Sequence, residues 1–397
     1  MNENNREEKI RELLTRGIED VFVLENLEKK LKSGKKLVIK FGIDPTGPKI
    51  HLGRAVVLRK LKAFQDLGHK IVLIIGDFTA QIGDPSDKLG KRPMLDSRTI
   101  KKNLKDYKKS LGKIIDLRKT SFKYNNKWLA KMGLRELSEL AESFTVQQML
   151  ARRNFRDRYE KNEEISLREF LYPIMQGYDS VKIKADIEIG GFDQLFNLKA
   201  GRTVQRHFGQ KEQDVLTCQM LEGTDGRKMS TSWGNVVNIT DEPNEMFGKI
   251  MSLRDELIVK YFLLCTELSL KEIELIEKNL KDGQNPRDLK IRLAWEITKL
   301  YHGVQKADEA KRYFVEAFQK KEIPGEIKTV FANKGSLFCD ILLENSLVKS
   351  KSDFRRLLDG GGLSKADGQK INDQNAALEN EIVLRVGKKN FLKIKLN

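Results

Sequence analysis

The strongest constraint on the fold is a strand–helix–strand pattern packed into forty residues. Lys36 to Ile43 reads KLVIKFGI, an apolar, β-branched run that stops at the turn residues DPTGP, which predicts a strand. From His51 to Leu67, the residues Leu52, Ala55, Leu58, Leu61, Phe64 and Leu67 recur at three-residue spacing. That is the period of a helix with one apolar stripe, and Gly68 ends it. Lys70 to Ile75 is apolar again and short enough for a buried parallel strand. A unit of this kind is right-handed and leads to a doubly wound α/β sheet. Such sheets bind ligands beyond the carboxyl ends of their strands. The loops DPTGPKIHLGR and GDFTAQIGDPSDK leave those ends.

The rest of the chain has a different character. Pro243 to Gln319 reads as successive amphipathic helices, Lys328 to Gly335 as a linker, and the last sixty residues as a short helix, a glycine turn (Gly360 to Gly362) and alternating strands. There is no internal repeat. The most apolar short run, IVLII, is far shorter than the ~20 residues of a spanning helix, and the N-terminus is polar with no signal core. Three dispersed cysteines, Cys218, Cys265 and Cys339, make neither a disulfide framework nor a zinc knuckle. A cytoplasmic protein off the membrane is expected, with no tightly bound metal or organic cofactor.

Charge narrows the partners. The 397 residues carry a net +17. Between Lys91 and Lys131 there are fourteen basic residues against Asp96, Asp106 and Asp116, so this short stretch holds most of the excess. Ile100, Leu104, Tyr107, Leu111, Ile114 and Ile115 recur within it at helical spacing. The basic groups therefore decorate an ordered element, either as a solvated face or as a surface for phosphates.

Four motifs lie on this frame. His51-Leu52-Gly53-Arg54 opens the first helix, where unpaired N–H groups and a partial positive charge suit a phosphate; alone, such a His is equally a surface residue. Gly226 to Asn235 (GRKMSTSWGN) is a polar, glycine-flanked loop able to wrap a polyphosphate, or an ordinary turn. Tyr172, Gln176 and Asp179 share one helix face at i, i+4 and i+7 in apolar surroundings, and a buried Asp needs a partner, from the protein or from a ligand. Gly190-Gly191-Phe192-Asp193-Gln194 follows the predicted strand ADIEIG, with an Asp suited to a ribose hydroxyl.

Taken in order, these motifs resemble those of the class I aminoacyl-tRNA synthetases and, within them, the bacterial tyrosyl-tRNA synthetases. HLGR stands at the family's His-x-Gly-His, KMSTS at its Lys-Met-Ser-Lys-Ser, and FGIDPTGPKIHLG, IGDPSDK, YPIMQGYDS and GGFDQLFN match its segments. The resemblance implies a Rossmann-like catalytic domain over 1–240 with a connective insertion at about 118–165. A helical anticodon-binding domain over 241–330 and an alpha-L RNA-binding domain over 335–397 would follow. In the last, Ser350, Ser352, Arg355, Arg356, Leu357 and Gly361 stand in matching places.

It also implies activation of L-tyrosine by ATP, with Mg2+ as part of the substrate complex, then transfer to tRNA(Tyr), by a homodimer. On this resemblance Asp84, Tyr172 and Gln176 hold the α-amino group and Asp179 the phenol, with Thr79 and Gln194 lining the amino-acid site. Asp193 takes the ribose, Gly53 lies under the adenine, and Thr46 and His51 meet the leaving phosphates. Asp44, Arg54 and Gly191 line the ATP site. Lys228, Met229, Ser230, Thr231 and Ser232 close over the triphosphate. Lys88, Arg92, Arg355, Arg356, Lys388 and Lys389 are expected on tRNA. Three positions depart from the family: Arg54 replaces the second His, Thr231 the second Lys, and Lys40 a Tyr that shares the substrate hydroxyl with the Asp. The other readings are a non-acylating synthetase-like RNA binder and a tryptophanyl-tRNA synthetase.

Overall fold

The computed structural model describes residues 3–84, 96–319, 328–365, 370–387 and 390–397, which form two compact units, 1–311 and 312–397. Six strands build the first unit's sheet: β1 (Ile18–Phe22), β2 (Val38–Ile43), β3 (Lys70–Ile75), β4 (Thr120–Tyr124), β5 (Ile187–Gly191) and β6 (Asp214–Cys218), in the order β1-β6-β5-β2-β3-β4. All neighbours are parallel except β1, which pairs antiparallel with β6 at the edge. From β2 the chain builds outward to β3 and β4, then returns to lay β5 on the other side of β2. The gap between β2 and β5 is the switch point at which such sheets hold ligands. The Leu52–Asp66 helix makes the β2–β3 crossover, as its period requires. β3 is buried after its first residue, which is why it reads as a continuous apolar run.

Two helices flank the switch point. Leu167–Ile183 starts at a capping box of Ser166 and Glu169, which satisfies two of its orphan N–H groups. Glu169 also pairs with buried Arg158 at 2.6 Å. The Leu195–His207 helix packs closely against it at Gly177, where a Cβ would lie 2.6 Å from Val204 Cγ2 and 3.1 Å from the Ala200 carbonyl. Short helices between β4 and Leu167 gather Leu129, Leu140, Met149 and Phe155 around Tyr172, Ile174, Met175 and Tyr178. The Ser97–Leu111 helix carries much of the basic stretch. It buries Ile100, Leu104, Tyr107 and Leu111 and exposes Lys101, Lys102 and Lys105. Residues 243–302 supply the helices Pro243–Met251, Ile258–Cys265, Leu270–Lys281 and Pro286–His302.

The second unit is a four-stranded sheet of β7 (Lys328–Ala332), β8 (Leu363–Lys365), β9 (Ile382–Val386) and β10 (Asn390–Leu396), in the order β7-β10-β9-β8. With the helices Phe338–Glu344 and Lys351–Asp359 it encloses Phe338, Leu342, Phe354, Leu363, Leu384, Leu392 and Ile394. The linker reading of residues 328–335 is corrected here. Lys328 to Ala332 pairs in parallel with β10, Lys328 opposite Leu392 and Ala332 opposite Leu396. A strand recruited by a partner sixty residues away carries little local signal. No helix among the described residues is long and apolar enough to cross a membrane.

Candidate functional site

The site grows from the carboxyl ends of β2, β3 and β5. Just past β2, Asp44 accepts from the Thr79 hydroxyl at 2.8 Å and from the Tyr172 phenol at 2.8 Å. It thus ties the loop after β2 to the turn after β3 and to the Leu167–Ile183 helix. Gly76 makes room for this, since a Cβ there would fall 1.9 Å from Asp44 Oδ1 and 2.3 Å from Thr79 Oγ1. Thr79 in turn accepts from Asn125 Nδ2 at 3.1 Å.

Asn125 also donates to Asp179 Oδ2 at 3.2 Å, and the Trp128 indole donates to Asp179 Oδ1 at 2.8 Å. Asp179 is 3% exposed. Burial pushes its carboxyl up to about 7, although Lys40, Trp128 and Asn125 all pull the other way. A carboxylate held by neutral donors in a dry pocket is a strong acceptor for a hydroxyl. Sequence reasoning missed Asn125 and Trp128. They stand just past β4 in YNNKW, so their place at a carboxyl strand end was the available signal.

Gln176, on the same helix face, donates from Nε2 to Glu188 at 3.1 Å. Across the pocket, Asp84 accepts from Gln194 Nε2 at 2.8 Å and from Asn197 Nδ2 at 3.3 Å. Asn197 is held by Arg152 at 3.1 Å, whose guanidinium lies between the rings of Phe155 and Phe196. Neither Asn197 nor Arg152 was anticipated.

The second half of the site begins at the N-terminus of the Leu52–Asp66 helix. His51 is its N-cap, and Nδ1 accepts from the Arg54 N–H at 3.4 Å. That leaves Nε2 as the protonated, donating nitrogen. Desolvation first, then the charges of Arg54 and Lys228, lower the His51 pKa to about 3, so the ring is neutral at physiological pH. The Arg54 guanidinium makes long contacts to Thr46 Oγ1 (3.5 Å) and to the Tyr107 hydroxyl (3.4 Å). The Gly53 N–H donates to Met229 Sδ at 3.3 Å, which brings the 228–232 loop over the helix terminus. Lys228 Nζ reaches Asp193 Oδ2 at 2.9 Å, both partly exposed. Asp193 lies in the Phe192–Gln194 turn directly after Gly191 and β5.

Asn235 anchors the loop. It accepts from the Ser230 N–H at 2.8 Å and donates to Asp225 at 2.7 Å. Thr231 is exposed, and Ser232 shares its 3-10 turn, Thr231–Trp233. Arg355 and Arg356 are exposed on the Lys351–Asp359 helix of the second unit. Lys88, Arg92, Lys388 and Lys389 lie outside the described residues.

The structure therefore joins two chemistries at one switch point. One is a set of polar groups, Asp84, Tyr172 and Asp179 buried and Gln176 partly so. The other is a wetter rim with three cationic or donor groups (His51, Arg54, Lys228) and one carboxylate (Asp193). Comparison with known proteins bears on the chain as a whole. Residues 32–319 match the model of the tRNA synthetases class I (W and Y). A tyrosine–tRNA ligase of Thermotoga maritima is 46% identical over 386 residues, 96% of each chain. A tyrosine–tRNA ligase 2 of Clostridium acetobutylicum is 44% identical over 98% of this chain and 99% of its own. Among solved structures, a C-terminally truncated mitochondrial tyrosyl-tRNA synthetase of Aspergillus nidulans shares the fold at a TM-score of 0.63 and 22% identity, covering 78% of this chain and 93% of its own. With a family model spanning most of its length and near-full-length relatives at this identity, the chain belongs to the class I tRNA synthetases of the W and Y family.

Proposed function

We propose that the chain is a tyrosine–tRNA ligase: it condenses L-tyrosine with ATP, present as its Mg2+ complex, to tyrosyl-adenylate and pyrophosphate, and then transfers the tyrosyl group to the 3′ end of tRNA(Tyr). The observation that carries the reading is Asp179, buried with both oxygens held by neutral donors. A phenol is the side chain that completes such a site. Asp84, Tyr172 and Gln176 receive the α-ammonium group, with Thr79 and Gln194 fixing their partners.

A tyrosine carboxylate oxygen attacks the α-phosphorus while the bond to the pyrophosphate oxygen breaks, so no side chain is needed as nucleophile. The protein's contribution is positioning and stabilisation of the charge that develops on the phosphates. His51, neutral, donates from Nε2; Thr46 and Arg54 stand beside it; Lys228 and Thr231 come from the loop. Asp193 takes the ribose, Gly53 and Met229 border the base, and Asp44, at the ATP site, holds Thr79 and Tyr172. In the second step a hydroxyl of the tRNA's terminal ribose attacks the tyrosyl carbonyl and AMP leaves. The basic Ser97–Leu111 helix and the second unit, with Arg355 and Arg356, supply phosphate-binding surface, and two copies of the chain work together in the cytoplasm. ATP–pyrophosphate exchange with each amino acid in turn is the test. Exchange dependent on tyrosine supports the reading, and exchange on tryptophan alone, or on none, overturns it.

A further inference from the structure

Close to Asp179, whose carboxyl feels the Lys40 charge, lies a buried ion pair. Lys40 on β2 and Glu188 on β5 stand directly opposite one another in the parallel register, across the switch point. Both side chains are wholly buried, with Nζ 2.9 Å from Glu188 Oε1. Burying two charges costs about as much as their attraction returns, so such a pair is weak evidence of stability. Its other contacts explain more. The ammonium has three protons, and its two remaining acceptors are the Gln176 carbonyl at 2.6 Å and the Ser180 hydroxyl at 2.7 Å. Glu188 accepts from Gln176 Nε2 at 3.1 Å and from Ser180 Oγ at 3.2 Å, and Gln213 Nε2 holds its far oxygen. Four of these bonds therefore end on one turn of the Leu167–Ile183 helix, the turn that carries Gln176 and Asp179.

We propose that Lys40 and Glu188 are positioning residues for tyrosine: together they lock the Gln176–Ser180 turn onto the sheet and hold the Gln176 amide in one orientation. With Nε2 committed to Glu188, Oε1 is the atom Gln176 turns toward the ligand, an acceptor for an ammonium group. Without Glu188 the amide is free to present its donors instead, which repel that ligand. This rests on the functional reading above, since it assigns the pair to the amino-acid half of that site.

The test is a set of variants assayed by tyrosine-dependent pyrophosphate exchange, with melting temperature and equilibrium dialysis of tyrosine alongside. Glu188→Gln should raise the KM and Kd for tyrosine about 10- to 100-fold, as for loss of one hydrogen bond to a charged group. The KM for ATP should stay within about twofold under the same positioning argument. The double variant Lys40→Met with Glu188→Gln leaves no unpaired buried charge, so it should recover melting temperature yet keep the raised tyrosine KM. In a Gln176→Ala background, Glu188→Gln should lose most of its effect on tyrosine, because it acts through that amide. Should Glu188→Gln fail to fold, Ser180→Ala removes only a hydroxyl and should still raise the tyrosine KM a few-fold by the same argument. A folded double variant with the wild-type tyrosine KM overturns the proposal, as do equal changes in the KM for tyrosine and ATP. Absence of tyrosine exchange by the wild-type enzyme refutes the functional reading itself, whereas normal wild-type exchange with unaffected variants refutes only this inference.

Discussion

On the roles proposed above, the amino-acid and phosphate halves of the site are built on opposite plans. At the amino-acid end, Asp179, Thr79 and Asn125 are all buried, each polar atom is tied to a neighbour, and the network runs from Asp44 through Thr79 and Asn125 to Trp128 without a break. At the phosphate end, Lys228 and Asp193 are partly exposed, Thr231 faces solvent, and the Arg54 contacts are long. Choosing tyrosine over phenylalanine turns on a single oxygen atom, so its receptor must be dry and fixed. Neutralising a triphosphate needs charge nearby but tolerates movement, so that receptor sits on turns. On those roles, buried groups set identity and partly exposed charges set rate.

The sharpest way to break this comparison is at Asp179. Wild-type exchange should favour tyrosine over phenylalanine by about 10⁴- to 10⁵-fold, a size known from tyrosyl-tRNA synthetases themselves and borrowed from them rather than calculated for this site. Asp179→Ala should erase most of that ratio, measured as kcat/KM in pyrophosphate exchange with each amino acid. A preserved ratio would place identity elsewhere in the amino-acid half. Next comes the rim. Lys228→Ala should slow tyrosine activation by about 10²- to 10³-fold, as for one lost preorganised charge, while tyrosine dialysis without ATP stays unchanged. Weakened tyrosine binding would show that the two halves are not separable.

A smaller effect comes from acid. Burial, opposed by Lys40, Trp128 and Asn125 and reinforced by Glu188, raises the Asp179 carboxyl to about 7. The ionised form is the acceptor for a phenol, so tyrosine affinity should be full above this value and fall as pH drops through it. The loss should approach tenfold per pH unit, measured as KM for tyrosine from pH 8 to 5.5. A flat profile would mean that the carboxyl is already ionised throughout that range. The smallest change is expected from Thr231→Lys, which adds a charge on an exposed turn and should raise the activation rate only a few-fold, since solvent screens it. A larger gain would show the rim to be short of charge.

The legible parts of the site were those written in one stretch of sequence. The face of Tyr172, Gln176 and Asp179 follows from helical spacing, and the His51 cap from its position before an apolar stripe. What stayed hidden depends on register between distant strands. Lys40 and Glu188 meet only because β5 returns beside β2, and no local pattern marks either as paired. Asp44 was expected at the ATP side of the site. It also accepts from Thr79 and Tyr172, a link invisible without the turn after β3. β7 was missed for the same reason, since among the described residues its strand partner is β10.

The Lys228–Asp193 bond sets two conditions on any ligand of this rim. Each member already has an opposite charge at 2.9 Å, so a ligand that satisfies one alone leaves the other stranded. On the roles proposed above, adenosine offers hydroxyls to Asp193 but nothing to Lys228, and pyrophosphate does the reverse. On those same roles, a molecule carrying ribose and phosphates on one frame replaces the bond from both ends at once.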